Sequence, residues 1–197
     1  MSPRTREQFE EMRVTRRQQI MDAALELFAH EGYNHCTIAM LASHAGISKG
    51  LMYNYFKNKE ELLSAIIQEG LEEIMNLFDP NRDGVLTPGA LESFIRETFQ
   101  AMRSHMDFWI LYAHILFQPS VKEQMKDNPV ISIMERFSPL LVNYFSKKGR
   151  KDPQLEMLTL SSLIGGFGAI LIYSYPTTPI SDELIKKLED RIVEMFV

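Results

Sequence analysis

Apolar positions recur along this chain with helical spacing almost from end to end. Ile20, Ala23, Ala24, Leu27 and Phe28 form one stripe at i, i+3, i+4, i+7 and i+8, the period of a helix with a single buried face. Thr15-Arg16-Arg17-Gln18 has capping-box spacing, so this helix is expected to begin at Thr15 and to end at Glu31-Gly32-Tyr33. After Thr37, a cap residue, Ile38, Leu41 and Ala42 make a shorter apolar face. Gly46 supplies a turn conformation that a β-carbon resists, and Ser48 caps a second short helix whose Met52 and Phe56 point inward. Lys49, Gly50, Leu51, Tyr53 and Asn54 are left facing outward. From Lys59 onward the same period predicts helices near 59–78, 88–104, 107–117, 120–127, 129–147, 153–174 and 181–196, punctuated by Gly84, Pro88, Pro119, Pro129, Gly149, Pro153, Pro176 and Pro179. No run of alternating β-branched residues argues for a sheet, so the fold class is all-α.

A helix, a glycine turn and a second helix between Thr37 and Phe56 have the form of a helix-turn-helix, whose second helix enters the DNA major groove. With its flanks, the run from Thr15 to Ile67 resembles the DNA-binding domain of the tetracycline-repressor (TetR) family of bacterial regulators. The residues that carry the likeness are Ala23-Ala24, Leu27-Phe28, Gly32-Tyr33, Thr37, Ala42, Ala45-Gly46-Ile47-Ser48, Lys49-Gly50, Tyr53, Tyr55-Phe56 and Lys59-Glu60-Glu61-Leu62. Ala39 and Met40 stand where the family often has a charged or polar pair, and Leu51 where it often has a hydroxyl. The resemblance implies a three-helix DNA-binding domain over 14–62 and an effector-binding and dimerisation domain over 63–197. The expected DNA contacts are Thr37, Ser48, Lys49, Gly50, Leu51, Tyr53, Asn54, Tyr55, Lys57 and Lys59. Lys59, at the positive N-terminus of a helix, is read as a phosphate contact.

Charge sharpens this picture only modestly. The net charge is −5, but residues 1–60 hold eight basic and seven acidic side chains against thirteen and nineteen in the remainder. DNA affinity is therefore expected to rest on a few placed cations, doubled by dimerisation. The single cysteine, Cys36, allows no internal disulfide, and no residue cluster has metal-ligand spacing. No metal or cofactor is expected. The N-terminal residues lack the apolar core of a signal peptide, which points to the cytoplasm.

Aromatic and methionine residues concentrate in the middle of the chain. Met102, His105, Trp109, Tyr112 and Leu116 share a stripe if one helix runs across Met106, and Val130, Met134, Phe137, Leu141 and Tyr144 make another. Buried Trp, Tyr and His tips need hydrogen-bond partners, and the family resemblance locates an effector pocket among these helices. The expected ligand-binding residues are His105, Trp109, Tyr112, Met134, Phe137, Leu141 and Tyr144. Leu158 to Tyr175 carries no charge, yet its Ser161, Ser162, Gly165, Gly166 and Gly168 let another helix approach closely. It is read as a dimer helix and not as a membrane span. Leu158, Ser162, Gly165, Gly166, Ala169, Leu188 and Ile192 are the expected interface residues.

Two other chemistries are weaker. The segment 79–87 matches the start of a calcium-binding loop, but its twelfth position is Ala90 where a glutamate is needed, so an inter-helix turn with Thr87 as cap is preferred. No nucleophile–base pair or carboxylate pair has workable spacing, so an enzyme is not expected. The resulting expectation is a homodimeric regulator, without an enzymatic role, that binds operator DNA and is released by a small apolar or aromatic effector. A shift of the 59–78 helix is the expected link between effector and DNA. The rival is a ligand-binding or interaction protein whose helix-turn-helix is vestigial.

Overall fold

The computed structural model describes residues 6–78, 84–117, 129–174, 177 and 180–197, without the side chains of 74, 75, 77, 78, 115–117 and 129–134. Among the described residues there are nine helices and no strand: α1 (Arg6–Glu31), α2 (Ile38–His44), α3 (Lys49–Tyr53), α4 (Lys59–Phe78), α5 (Pro88–Ser104), α6 (Met106–Phe117), α7 (Pro129–Lys147), α8 (Pro153–Ser174) and α9 (Asp182–Phe196). The expected helix at 120–127 lies outside them.

The chain divides into two compact units, one of Met1–Ile67 with Ile110–Lys126, the other of Gln68–Trp109 with Asp127–Val197. The division falls inside α4 and inside α6, so neither helix belongs to one unit alone. It also lies a few residues beyond the 62/63 boundary read from the sequence.

In the first unit, α1 buries Ile20, Met21, Ala24, Phe28 and Ala29, the stripe read from the sequence shifted slightly around the helix. Its start is a correction. Thr15 lies inside the helix, and its hydroxyl donates back to the Glu11 carbonyl at 2.9 Å, so it caps nothing. Two and a half turns of helix precede it. Gly32, at φ 80°, ends α1, its N–H donating to the Phe28 carbonyl at 3.0 Å.

In the second unit, α5 is the central element. Its Phe94 packs on Phe137 of α7 with ring centroids 5.2 Å apart, and its Phe99 stacks on Phe167 of α8 at 4.2 Å. Gly168 of α8 lets the Met102 side chain lie against the helix. Phe145 of α7 meets Phe196 of α9 at 5.8 Å. Arg96 and Arg103 of α5 pair with Asp190 and Asp182 of α9 at 2.8 and 2.9 Å. Thr87 caps α5 by accepting from the Ala90 N–H at 3.1 Å, with Pro88 in the first turn, as the turn reading expected. Residues 79–83 of that loop lie outside the described set.

Candidate nucleic-acid interface and effector region

The helix-turn-helix is built by its caps. The Thr37 hydroxyl accepts from the Met40 N–H at 3.3 Å and the Ser48 hydroxyl from the Leu51 N–H at 3.1 Å. Between them, Gly46 adopts φ 64°, and the Ile47 N–H reaches back to the Ala42 carbonyl at 2.9 Å. Leu41, Ala42, Met52 and Phe56 are buried, which fixes how α2 and α3 lie on α1. A ring-face contact also holds this seat, the Arg17 guanidinium 5.0 Å over Phe56. His44 of α2 also meets Glu26 of α1 at 3.0 Å.

That arrangement leaves Thr37, Ser48, Lys49, Gly50, Leu51, Tyr53, Asn54 and Lys57 exposed and Tyr55 half-buried. Gly50, without a β-carbon, leaves the backbone of α3 uncovered on this face. Leu51 and Tyr53 are large apolar or aromatic side chains held in water on α3, where a core has no use for them.

Lys59 departs from the expectation. Its ammonium donates to the carbonyls of Tyr33 at 2.8 Å and Cys36 at 3.0 Å, and lies 4.1 Å from the Tyr33 ring centroid. It straps the start of α4 to the turn before α2, so at least two of its three N–H donors are committed inside the protein. Tyr33 is buried and donates to a Glu60 carboxylate oxygen at 3.2 Å. Burial, then the Glu60 charge, pushes its phenol well above the ordinary tyrosine range. Cys36 is buried too, its thiol donating to the Gly32 carbonyl at 3.3 Å; burial raises its pKa while Lys59 opposes the shift. The strap pattern was hidden in the sequence because Lys59 lies 26 residues from Tyr33 and 23 from Cys36.

The expected effector residues separate into groups. Leu141 and Tyr144 are buried on α7, Phe137 is half-buried against Phe94, and Trp109 is buried with its ring edge-on to Phe108 at 5.4 Å. His105 does not join them. The α5 helix ends there, with His105 as its C-cap at φ −123° and ψ 52°, and the residue is exposed at the corner before α6. The stripe that assumed one helix across Met106 is therefore broken. Tyr112 is half-buried, with a phenol pKa raised by burial, and falls in the first unit. The Met134 side chain lies outside the described residues. Sequence reasoning missed Thr98, on α5 one turn beyond Phe94. Thr98 is 2% and Tyr144 4% exposed, and their hydroxyls have no hydrogen-bond partner among the described residues.

One face of α8 is bare. Leu155, Leu158, Ser162, Gly165, Gly166, Ala169, Ile170 and Tyr173 are exposed at helical spacing, Tyr173 at 91%. A β-carbon at Gly165 or Gly166 would meet nothing within 4 Å. Leu188 is half-buried. Ile192 is 1% exposed and faces inward from α9, so it belongs to the core of its own unit and not to an outer surface.

A sequence profile described as "Bacterial regulatory proteins, tetR family" matches residues 20–66, which span the buried part of α1, the helix-turn-helix and the start of α4. The HTH-type transcriptional regulator BetI of Cronobacter sakazakii is 28% identical over 165 residues, covering 79% of this chain and 78% of BetI. The fatty acid metabolism regulator protein of Bacillus subtilis is 26% identical over 114 residues, 57% of this chain and 59% of that protein. Among solved structures, a TetR family transcription regulator from Marinobacter aquaeolei superposes with a TM-score of 0.73 at 16% identity, over 94% of this chain and 97% of the other. FadR from Bacillus subtilis in complex with stearoyl-CoA gives 0.71 at 20% identity, over 91% and 97%. The capped helix-turn-helix and its exposed α3 lie within the matched segment, so residues 20–66 form a DNA-binding domain of the tetR type, and the chain as a whole is similar to transcriptional regulators that carry it.

Proposed function

We propose that the chain is a homodimeric repressor that an apolar effector releases from its operator. The exposed face of α3, with Lys49, Gly50, Leu51, Tyr53 and Asn54 around a helix seated by Met52 and Phe56, carries the DNA part of this reading. Lys49 and Lys57 supply phosphate contacts, Leu51 and Asn54 meet base edges, and Thr37, Ser48 and Tyr55 border the groove. Lys59 acts one step back, by holding the turn that leads into α2. The bare face of α8 supports pairing with a second copy, because small residues on a long apolar helix allow close packing. A dimer also sets two α3 helices for successive major grooves, about 34 Å apart.

The effector reading rests on the second unit. Phe94, Phe99, Leu141 and Tyr144 are buried in this unit, and the Thr98 and Tyr144 hydroxyls lack protein partners among the described residues, so a ligand with a polar group on an apolar body suits it. A fatty acyl thioester is the class to test first, since the FadR relative binds stearoyl-CoA. The α4 helix, continuous from Lys59 to Phe78, is the element through which binding is relayed. As a regulator of this kind the protein works in the cytoplasm and has no catalytic role.

The test is fluorescence anisotropy of a duplex selected from random sequence by the full chain, titrated with stearoyl-CoA and with coenzyme A alone. Release by the thioester, accompanied by a change in emission of Trp109, the single tryptophan, is expected. Stable DNA binding with saturating thioester would remove acyl thioesters as effectors. Release with unchanged emission would move the pocket away from Trp109.

A further inference from the structure

The first turns of α1 project into solvent. From Arg6 to Gln19 every residue is exposed except Arg17, and the first buried residue is Ile20. The family profile also begins at residue 20, so this stretch lies outside the matched segment. A helix of this length is marginal in water by itself; here it is extended from a docked portion that has already met the cost of nucleation.

Its charges are sorted by face. At about 100° per residue, Arg6, Arg13, Arg16 and Arg17 fall within roughly 100° of arc, together with Phe9 and Ile20. Glu7 and Glu11 lie on the other side, and Glu10 stands at the edge of the basic row. Two contacts fix which way the row points. Ile20 is buried in the domain, and Arg17 lies over Phe56, the residue that closes the segment after α3. The row therefore prolongs, past Phe56, the side of α1 on which the recognition segment sits. Neither Arg13 nor Arg16 has an ion-pair partner among the described residues.

We propose that Arg6–Gln19 is a DNA-contacting arm that sets Arg6, Arg13 and Arg16 against duplex phosphates beyond the helix-turn-helix footprint. The occupant is DNA because the row is cationic and continuous with the DNA-binding domain. The row is about 16 Å long at 1.5 Å per residue, against a duplex that carries one negative charge per about 1.7 Å. A protein partner fits less well. The exposed apolar residues Phe9, Met12 and Val14 do not form a seam, since Met12 lies about 60° and Val14 about 140° around the helix from Phe9.

The experiment uses the full chain and a labelled 40-base-pair duplex of random sequence, with anisotropy recorded from 0.05 to 0.3 M potassium chloride. The variant is Arg13→Gln/Arg16→Gln, and the control on the opposite face is Glu7→Gln/Glu11→Gln. Losing two phosphate contacts should lower the magnitude of the slope of log affinity against log salt by about 1.8. Affinity at 0.1 M should fall roughly 60-fold if the two lines converge near 1 M. Thermal unfolding and the light-scattering mass should not change, and the control variant should keep the wild-type slope. Wild-type binding with an unaltered slope in the arginine variant overturns the arm alone. So does a changed mass at an unaltered slope, which would make the segment a subunit contact. A wild-type chain that ignores duplex DNA altogether would overturn the DNA-binding reading and the arm with it.

Discussion

Replacing Lys59 by methionine separates two roles that the sequence cannot tell apart. The change keeps an apolar stem and removes the ammonium, with its bonds to the Tyr33 and Cys36 carbonyls at 2.8 and 3.0 Å and its place over the Tyr33 ring. A hydrogen bond from a charged donor contributes about 1.5–3 kcal/mol, and a ring-face cation about 0.5–1 kcal/mol at an exposed site. Lys59 is only half-buried, so water takes over much of this, and about 2 kcal/mol is a reasonable net loss. In a chain of this length that lowers the melting temperature by about 4–8 °C. The turn it holds runs directly into Thr37, the cap of α2, so DNA affinity should also fall, by at most about 30-fold if the whole loss reaches binding. The salt dependence decides the mechanism. A lost strap leaves the slope of log affinity against log salt unchanged, whereas a lost phosphate contact lowers its magnitude by about 0.9. Differential scanning calorimetry and anisotropy at four salt concentrations give both numbers. An unchanged melting temperature with a slope reduced by about one would refute the strap and return Lys59 to the phosphate role.

Three further outcomes follow from single contacts. In α4, a β-carbon at Gly70 would overlap the Phe108 ring of α6, so Gly70→Ala should cost about 1–3 kcal/mol in urea unfolding; adding Phe108→Leu should recover part of it, and a neutral single variant would contradict the packing. On the bare face of α8, Gly166→Glu finds open space in one chain, so it should leave helicity intact while converting dimer to monomer by light scattering; a persistent soluble dimer would take α8 out of the interface. The raised phenol of Tyr33 stabilises the fold below the ordinary tyrosine pKa near 10, and that contribution is lost as pH rises above it. Stability measured between pH 8 and 11 should therefore fall less steeply in Tyr33→Phe than in the wild type, and parallel curves would show that Tyr33 is not the group responsible.

Much of the architecture was legible because helix boundaries are local chemistry. Thr37, Ser48 and Thr87 each cap the helix predicted to follow them, and Ser181 caps α9 by accepting from the Leu184 N–H at 3.3 Å. The exception at Thr15 shows the limit of such rules. Its spacing fits a capping box, but Arg6–Val14 can also be helical, and a hydroxyl inside a helix bonds back to the carbonyl four residues earlier. His105 fails for the opposite reason. Period alone carried the stripe across Met106, while the backbone breaks there and turns the imidazole to water.

Side-chain destinations are less legible than elements, because they depend on what a distant segment offers. Lys59 has the position of a phosphate ligand by sequence, yet two carbonyls near the end of α1 are within its reach and desolvate less of its charge than a buried site would. Ile192 has the period of an interface residue, yet α9 turns it inward beside Ile185 and Phe196. The charge problem resolves in the same way. Counted along the chain, residues 1–60 carry a surplus of one positive charge, which is little for a DNA-binding domain. Sorted by direction, four of their arginines stand in one row on α1, while two of the acids between them face the other way. A phosphate lattice responds to the local field within a Debye length of about 8–10 Å and not to the total. A nearly neutral domain can therefore hold DNA, provided its helix turns the arginines to one side, and the Arg13/Arg16 variant measures whether this one does.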